Sequence, residues 1–408
     1  MPQLINENKK KASFLNLNLI LLILCQGLFL TNNVTFIAVN GLVGFSLTPT
    51  PWLATLPVMG YVVGGAISTS IVAKVQALYG RKRSFQLGLL VAVLSSLICA
   101  YAAWSHNFQL LILGTLVAGF YSANGQLYRF AAVELTSKEF REKAISWVLA
   151  GGLIGAIIGP NLATWTHTLF EIPFLGAYLS LSGVALIGLV LMQFIDFPEE
   201  NKAQSSESND RTLFQLMSHP VFIVSVICAA CGYGVMNLLM AATPLAMKIC
   251  GLSFADTAFV LEWHVLAMFA PGFFTGSLIN RFGIFKIMSC GVVLNLVCIC
   301  VALSGNDVQH FFFALLCLGL GWNFLFTGAT TLAITTYQPN EKNRAQAAIN
   351  FCVFATLATT SFASGALVTT QGWSLLNICS IFLVMITAAA LIWWRLSPHY
   401  FLSTRQPV

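Results

Sequence analysis

Twelve separate stretches of this chain run apolar for about the 20 residues that a helix needs to cross hydrocarbon, and no other feature limits the fold as much. Lipid offers backbone N–H and C=O groups no hydrogen-bond partners, so a segment that stays in it is a helix or part of a closed barrel. Barrel strands are shorter and alternate apolar with polar residues. The runs here are continuous, which predicts helices over 16–41, 52–77, 84–104, 108–131, 144–168, 173–195, 220–247, 257–279, 285–304, 310–335, 345–368 and 374–394. A composition 57% hydrophobic and only 8% charged, with a mean hydropathy of +0.81, agrees that lipid is the main solvent.

The net charge of +6 is explained by where the basic residues sit. Eighteen of the 20 lysines and arginines fall in the tails and in the loops on one side, from Lys9, Lys10 and Lys11 through Arg81, Lys82 and Arg83 to Arg395 and Arg405. Only Lys248 falls in a loop on the other side, and Arg129 lies within a span. The positive-inside rule then puts both chain ends in the cytoplasm of a cell (inner) membrane protein, with an even number of crossings. The basic charge thus reads as topology, and no nucleic-acid partner is expected. A cleaved leader is not expected either, because the run after Lys11 is too long and no small-residue cleavage site follows. The 11 cysteines lie in or at the ends of spans, where disulfide frameworks do not form. Cys228 and Cys231 have no second pair or nearby His to complete a metal site, so no metal or cofactor is expected.

A hydrophilic stretch, 196–219, divides the chain into a six-helix bundle at 16–195 and a second at 220–394, with tails at 1–15 and 395–408. The halves echo each other. Gly80-Arg81-Lys82 follows the second span and Asn280-Arg281-Phe282-Gly283 follows the eighth, the two glycines lying 283 − 80 = 203 residues apart. Duplication on that scale matches secondary transporters built from repeated halves.

On these residues the chain resembles the major facilitator superfamily. Gly276, Asn280, Arg281, Gly283 and Lys286 follow that family's signature after the eighth span, and Gly80, Arg81, Lys82 and Arg83 follow it after the second, with Ala77 where an acid is usual. Gly151, Gly152, Gly155, Gly159 and Pro160 on the fifth span are similar to the family's antiporter-type motif, while Thr115 stands where the fourth span commonly has an Arg. The resemblance implies an all-α fold of two six-helix bundles that rock about a central site. Gly80, Arg81, Gly151, Gly155, Gly159, Pro160, Asn280, Arg281 and Gly283 are then expected to serve packing and gating. Glycines four apart let a neighbouring backbone approach, and Pro160 and Pro271 can bend their spans.

The resemblance also implies that the first, fourth, seventh and tenth spans line the cavity, and each carries polar groups. They are Gln26 and Asn33 on the first; Tyr121, Asn124, Tyr128 and Arg129 on the fourth; Tyr233 and Asn237 on the seventh; and Trp322, Asn323 and Thr327 on the tenth. Amides and aromatic rings together suit a mid-sized organic solute better than a bare ion, although any one amide could equally make an interhelical hydrogen bond. Arg129 cannot shed its charge and needs a partner. An anionic group of the solute, a pair with Glu134, or snorkelling to the interface would each serve. Glu262 and His264 are the titratable pair inside the eighth span and the candidates for carrying a coupling proton. Being two apart they face opposite ways, and Glu262 is preferred, with a fixed pair to Lys248 as the rival role.

An intramembrane enzyme is not expected, since neither His-Glu-x-x-His nor Gly-x-Ser-x-Gly occurs. A channel or receptor would not explain the duplicated motif. The sequence therefore predicts a monomeric, proton-coupled secondary transporter of an aromatic or amphipathic organic solute. It leaves open a vitamin- or siderophore-type importer and a proton-driven exporter.

Overall fold

The computed structural model describes residues 16–137, 140–198, 213–338 and 341–398. Most of the tails and of the 196–219 linker, with Lys9, Lys10, Lys11, Lys138, Lys202, Arg211 and Arg405, lie outside them. The described residues are almost wholly helical. Ten helices are long and apolar enough to cross a bilayer, and a bent pair adds one more crossing. The remaining one of the twelve expected spans is hidden in the longest helix, Leu56–Trp104, whose backbone breaks at Gly80 with φ 80 and ψ 169. The crossings are α1 (Leu17–Leu47), α2 and α3 (56–79 and 81–104), α4 (Phe108–Gly125), α5 (Arg141–Thr166), α6 (Leu175–Gln193), α7 (Pro220–Ile249), α8 (Phe254–Phe269 with Gly272–Phe282), α9 (Ile284–Ser304), α10 (Val308–Ile334), α11 (Lys342–Thr370) and α12 (Gly372–Leu396). Twelve crossings leave both described ends on one face.

The duplication read from the sequence is visible in the backbone. Gly283, between α8 and α9, has φ 88 and ψ 151, the counterpart of Gly80 between α2 and α3. That region of backbone space is open essentially to glycine alone. Gly80→Ala should accordingly lower stability by about 1–2 kcal/mol, measured as thermal unfolding in detergent, although a Cβ there would touch nothing.

Within each bundle the helices pack closely through small residues. On α5, a Cβ at Gly155 would strike the backbone of Gly27 and Thr31, and the Gly159 carbonyl accepts a hydrogen bond from Thr35 Oγ1 at 2.9 Å. The glycines of α5 thus seat that helix on α1 inside the first bundle, not on the second bundle. Pro160 lies inside α5, and Pro271 sits at the 44° bend of α8.

The two bundles meet mainly in the half away from the chain ends. Thr55, ahead of α2, accepts from the Gly365 N–H of α11 at 3.0 Å, and Trp52 packs edge-on against Phe362 at 5.9 Å. Asn161 of α5 donates to Glu262 of α8 at 2.8 Å. Phe254 of α8 stacks near His167 and Phe174, and Lys248 lies over the Phe45 ring. These hydrogen bonds and ring contacts, which join the bundles, lie in this half. They close the far face, while Gln126, at the chain-end side of the seam, is exposed.

Candidate transport site

A cavity of about 120 Å³ lies between the bundles. From the first bundle, α1 contributes Asn33 and α2 Tyr61, whose hydroxyl accepts from the Asn33 amide at 3.0 Å. Ser122 of α4 lies beside that hydroxyl, and Gln126 follows one turn later on the exposed side of the cavity. Tyr61 is held in place by stacking on Phe36 at 5.5 Å.

The second bundle contributes a softer wall. Tyr233, Met236, Asn237 and Met240 of α7, Met268 and Phe269 of α8, and Phe354 of α11 line it. Asn237 is fixed by its amide nitrogen, which donates toward Leu357 O at 3.1 Å and toward Thr360 and Ser361 hydroxyls at 2.9 Å. With both amide hydrogens committed, the group left for a solute is the carbonyl oxygen, an acceptor. Tyr233 is braced edge-on by Trp322 at 5.1 Å and Phe326 at 5.3 Å, themselves stacked 8° from parallel.

Amides and hydroxyls on one wall therefore face rings and thioethers on the other, where Asn237 adds a single acceptor. Such a site can pair the hydrogen-bonding edge of a flat heterocycle while burying its faces. The volume is on the scale of a single aromatic ring, so a larger solute requires the bundles to part further. The cavity opens along the seam between two six-helix halves, each interrupted by the same glycine backbone break. The family model of the Major Facilitator Superfamily matches residues 19–283 and 226–406. The chain belongs to the Major Facilitator Superfamily.

This superfamily member is 40% identical over 362 residues to riboflavin transporter RfnT of Brucella anthropi, an alignment covering 88% of this chain and 91% of that protein. Two Bacillus subtilis relatives, the uncharacterized MFS-type transporters YddS and YdeG, are 23% and 24% identical, each across 88% of this chain and across 86% and 87% of their own lengths. The protein is a multi-pass membrane transporter of a small molecule, not an enzyme.

The transporter brings Asn33, Tyr233 and Asn237 together at the cavity. It places the other expected residues elsewhere. Gln26 is buried facing Gly152 of α5. Tyr121 and Tyr128 pack against Phe29 in the core of the first bundle, and Asn124 accepts from Ser84 at 2.8 Å there. Trp322 stands one layer behind Tyr233, and Asn323 is taken up by Thr275 and the Met268 carbonyl at 2.6 and 2.7 Å. Thr327 does not reach the cavity, because the rings of Tyr233 and Phe269 screen α10 from it. The expectation that α10 lines the cavity is thus corrected: α2, α8 and α11 do so instead. Gln126 and Ser122 had a signal in the sequence, since they share a helix face with Arg129, at spacings of three and seven. Tyr61, on the second span, had none.

Neither suggested ion pair forms. Glu134 binds Arg81 at 2.6 Å, so the signature after the second span finds its acid on the segment after α4 in place of Ala77. Lys82, beside it, donates to Gln193 O at 2.8 Å and lies 3.4 Å from Asp196. In the second copy of the signature, Asn280 and Arg281 close α8 just before Gly283, the Arg281 guanidinium lying over the Phe282 ring. Glu262 is held by Asn161, while Lys248 rests on Phe45. His264 is fully buried within the second bundle, its Nδ1 2.7 Å from Leu315 O, and faces away from both the cavity and the seam.

Proposed function

We propose that this protein imports a flat aromatic heterocycle of the flavin type, riboflavin or a near analogue, across the cell membrane by alternating access. Its chain ends lie in the cytoplasm, and entry of a proton supplies the drive. The observation that carries this reading is the two-sided cavity. Asn33, Tyr61 and Gln126 offer hydrogen bonds from the first bundle, opposite Tyr233, Phe269 and the methionines of the second, among which Asn237 adds an acceptor. The uracil-like edge of a flavin is a row of donors and acceptors, and its benzenoid end is apolar. The relative named as a riboflavin transporter supports the same class, and the one-sided basic residues support the orientation. Glu262, at the sealed seam, is the proposed proton carrier.

Proteoliposomes loaded with unlabelled riboflavin should take up labelled riboflavin by saturable counterflow. Cells unable to make riboflavin should grow at lower external concentrations when they express the protein. Absence of saturable counterflow would remove the flavin reading, and net extrusion from loaded cells would reverse the direction. Tyr233→Ala should raise the half-saturating concentration about tenfold, since stacking a base on an aromatic ring contributes about 1–3 kcal/mol. Tyr233→Phe should keep most of the affinity, as the ring and its bracing survive.

A further inference from the structure

Arg129 has no ion-pair partner among the described residues. It sits in a short helical turn, Tyr128–Ala131, that continues α4 beyond a break at Gln126 and Leu127. Its guanidinium lies over the Phe130 ring at 4.8 Å, and its Nε is buried without a hydrogen bond. Glu134, the nearest acid along the chain, is engaged by Arg81. Arg129 is nonetheless within electrostatic reach of Tyr233 on the opposite bundle, so it faces the seam and not the lipid. Gln126, one turn earlier, lines the cavity. The arrangement is a fixed positive charge at the chain-end side of the cavity, on the open side of the seal.

A guanidinium in such a place is tolerated while water reaches it. When the bundles close over the chain-end side, it is sealed in with a phenyl ring and a tyrosine, neither of which neutralises it. The planar fork of N–H donors matches a phosphate or carboxylate, which it can bind through two hydrogen bonds at once. Riboflavin, being neutral, leaves this charge unmatched.

We propose that Arg129 is an anion subsite, and that the transporter binds flat heterocycles whose side chain carries a phosphate or carboxylate more tightly than their neutral parents. The proposal rests on the flavin reading for the ring but not for the charge. The Tyr233 wall would hold the ring, and the tail would run toward the chain-end side to meet Arg129.

The test uses the purified full-length transporter in detergent, titrated with riboflavin and with flavin mononucleotide, its phosphate ester, while flavin fluorescence is followed. The wild type should bind the phosphate ester at least tenfold more tightly than riboflavin. Arg129→Gln should remove that preference while changing riboflavin affinity less than threefold, and Arg129→Lys should restore part of it. Equal or weaker binding of the ester by the wild type, or a preference that survives in Arg129→Gln, overturns the proposal. A parallel arm follows thermal unfolding with inorganic phosphate alone. If neither flavin binds but phosphate still raises the unfolding temperature of the wild type and not of Arg129→Gln, the anion subsite stands and the flavin reading falls. If neither flavin binds and phosphate has no such effect, both fall.

Discussion

Glu262→Gln should abolish accumulation of the solute against its gradient while leaving counterflow close to the wild-type rate. Glu262 is a half-buried carboxylate on α8 that accepts from Asn161 of α5 at 2.8 Å, across the seam and within its sealed half. Asn161 also donates to Ile157 O at 2.7 Å, so its amide is oriented toward Glu262 by its own helix. In the proposed cycle, opening the far face breaks this bond and turns the carboxylate toward incoming water, where it can take a proton. A glutamine keeps an oxygen that accepts from Asn161, so the latch can still form, but it cannot carry the proton. Exchange of solute for solute needs only the rocking motion and survives. Under the proposed coupling, uphill transport needs the proton and does not. One pH unit across the membrane supplies about 1.4 kcal/mol per proton, a tenfold accumulation ratio, so in vesicles with the outside one unit more acidic the wild type should approach tenfold and Glu262→Gln unity. Glu262→Ala should differ from both, because it also removes the latch and should speed opening of the far face. Full accumulation by Glu262→Gln would exclude this carboxylate as the carrier.

The crossings were legible because each obeys one strong local rule, length of apolar run, and the halves were legible because Gly80 and Gly283 mark a break that only glycine tolerates. The bend at Pro271 was legible in the proline itself, whereas the interruption of α4 after Gly125 was not, since it depends on how neighbouring helices fill the space. The cavity was harder to read for a related reason. A helix in a transporter bundle has two faces hidden from lipid, one toward its own bundle and one toward the seam, and polar residues mark both. On α4 the stripe of Tyr121, Asn124 and Tyr128 turns to the first bundle's own core, where Asn124 meets Ser84. The neighbouring stripe of Ser122, Gln126 and Arg129 turns to the seam. Periodicity separates lipid from protein, but it cannot say which protein surface a stripe meets. Asn323 on α10 illustrates the same ambiguity, since its amide is spent on tying α10 to α8.

The seam between α2 and α4 supplies the second large effect. A Cβ on Gly119 would fall on the backbone of Gly64 and Gly65, and one on Gly64 would fall on the carbonyl of Leu116. Backbone atoms in two packed helices cannot rotate aside as a side chain can, so a methyl group at either position forces the helices apart. Overpacking of this kind costs about 1–3 kcal/mol, and Gly119→Leu should yield little folded protein. Parting these helices also moves Tyr61 and Gly65 on α2 away from Ser122 on α4, all of which line the cavity, so the Gly119→Ala protein that does fold should also bind its solute more weakly. Gly183 on α6 is the internal control, because a Cβ there meets nothing within 4 Å. Gly183→Ala should be neutral or stabilising by up to about 1 kcal/mol, through the helix propensity gained. The double variant discriminates further. Once one methyl group has separated α2 from α4, the second meets space already opened, so Gly64→Ala with Gly119→Ala should cost clearly less than the two single losses together. Losses that simply add would mean that the two glycines act at separate places, and that the helices do not touch along this line.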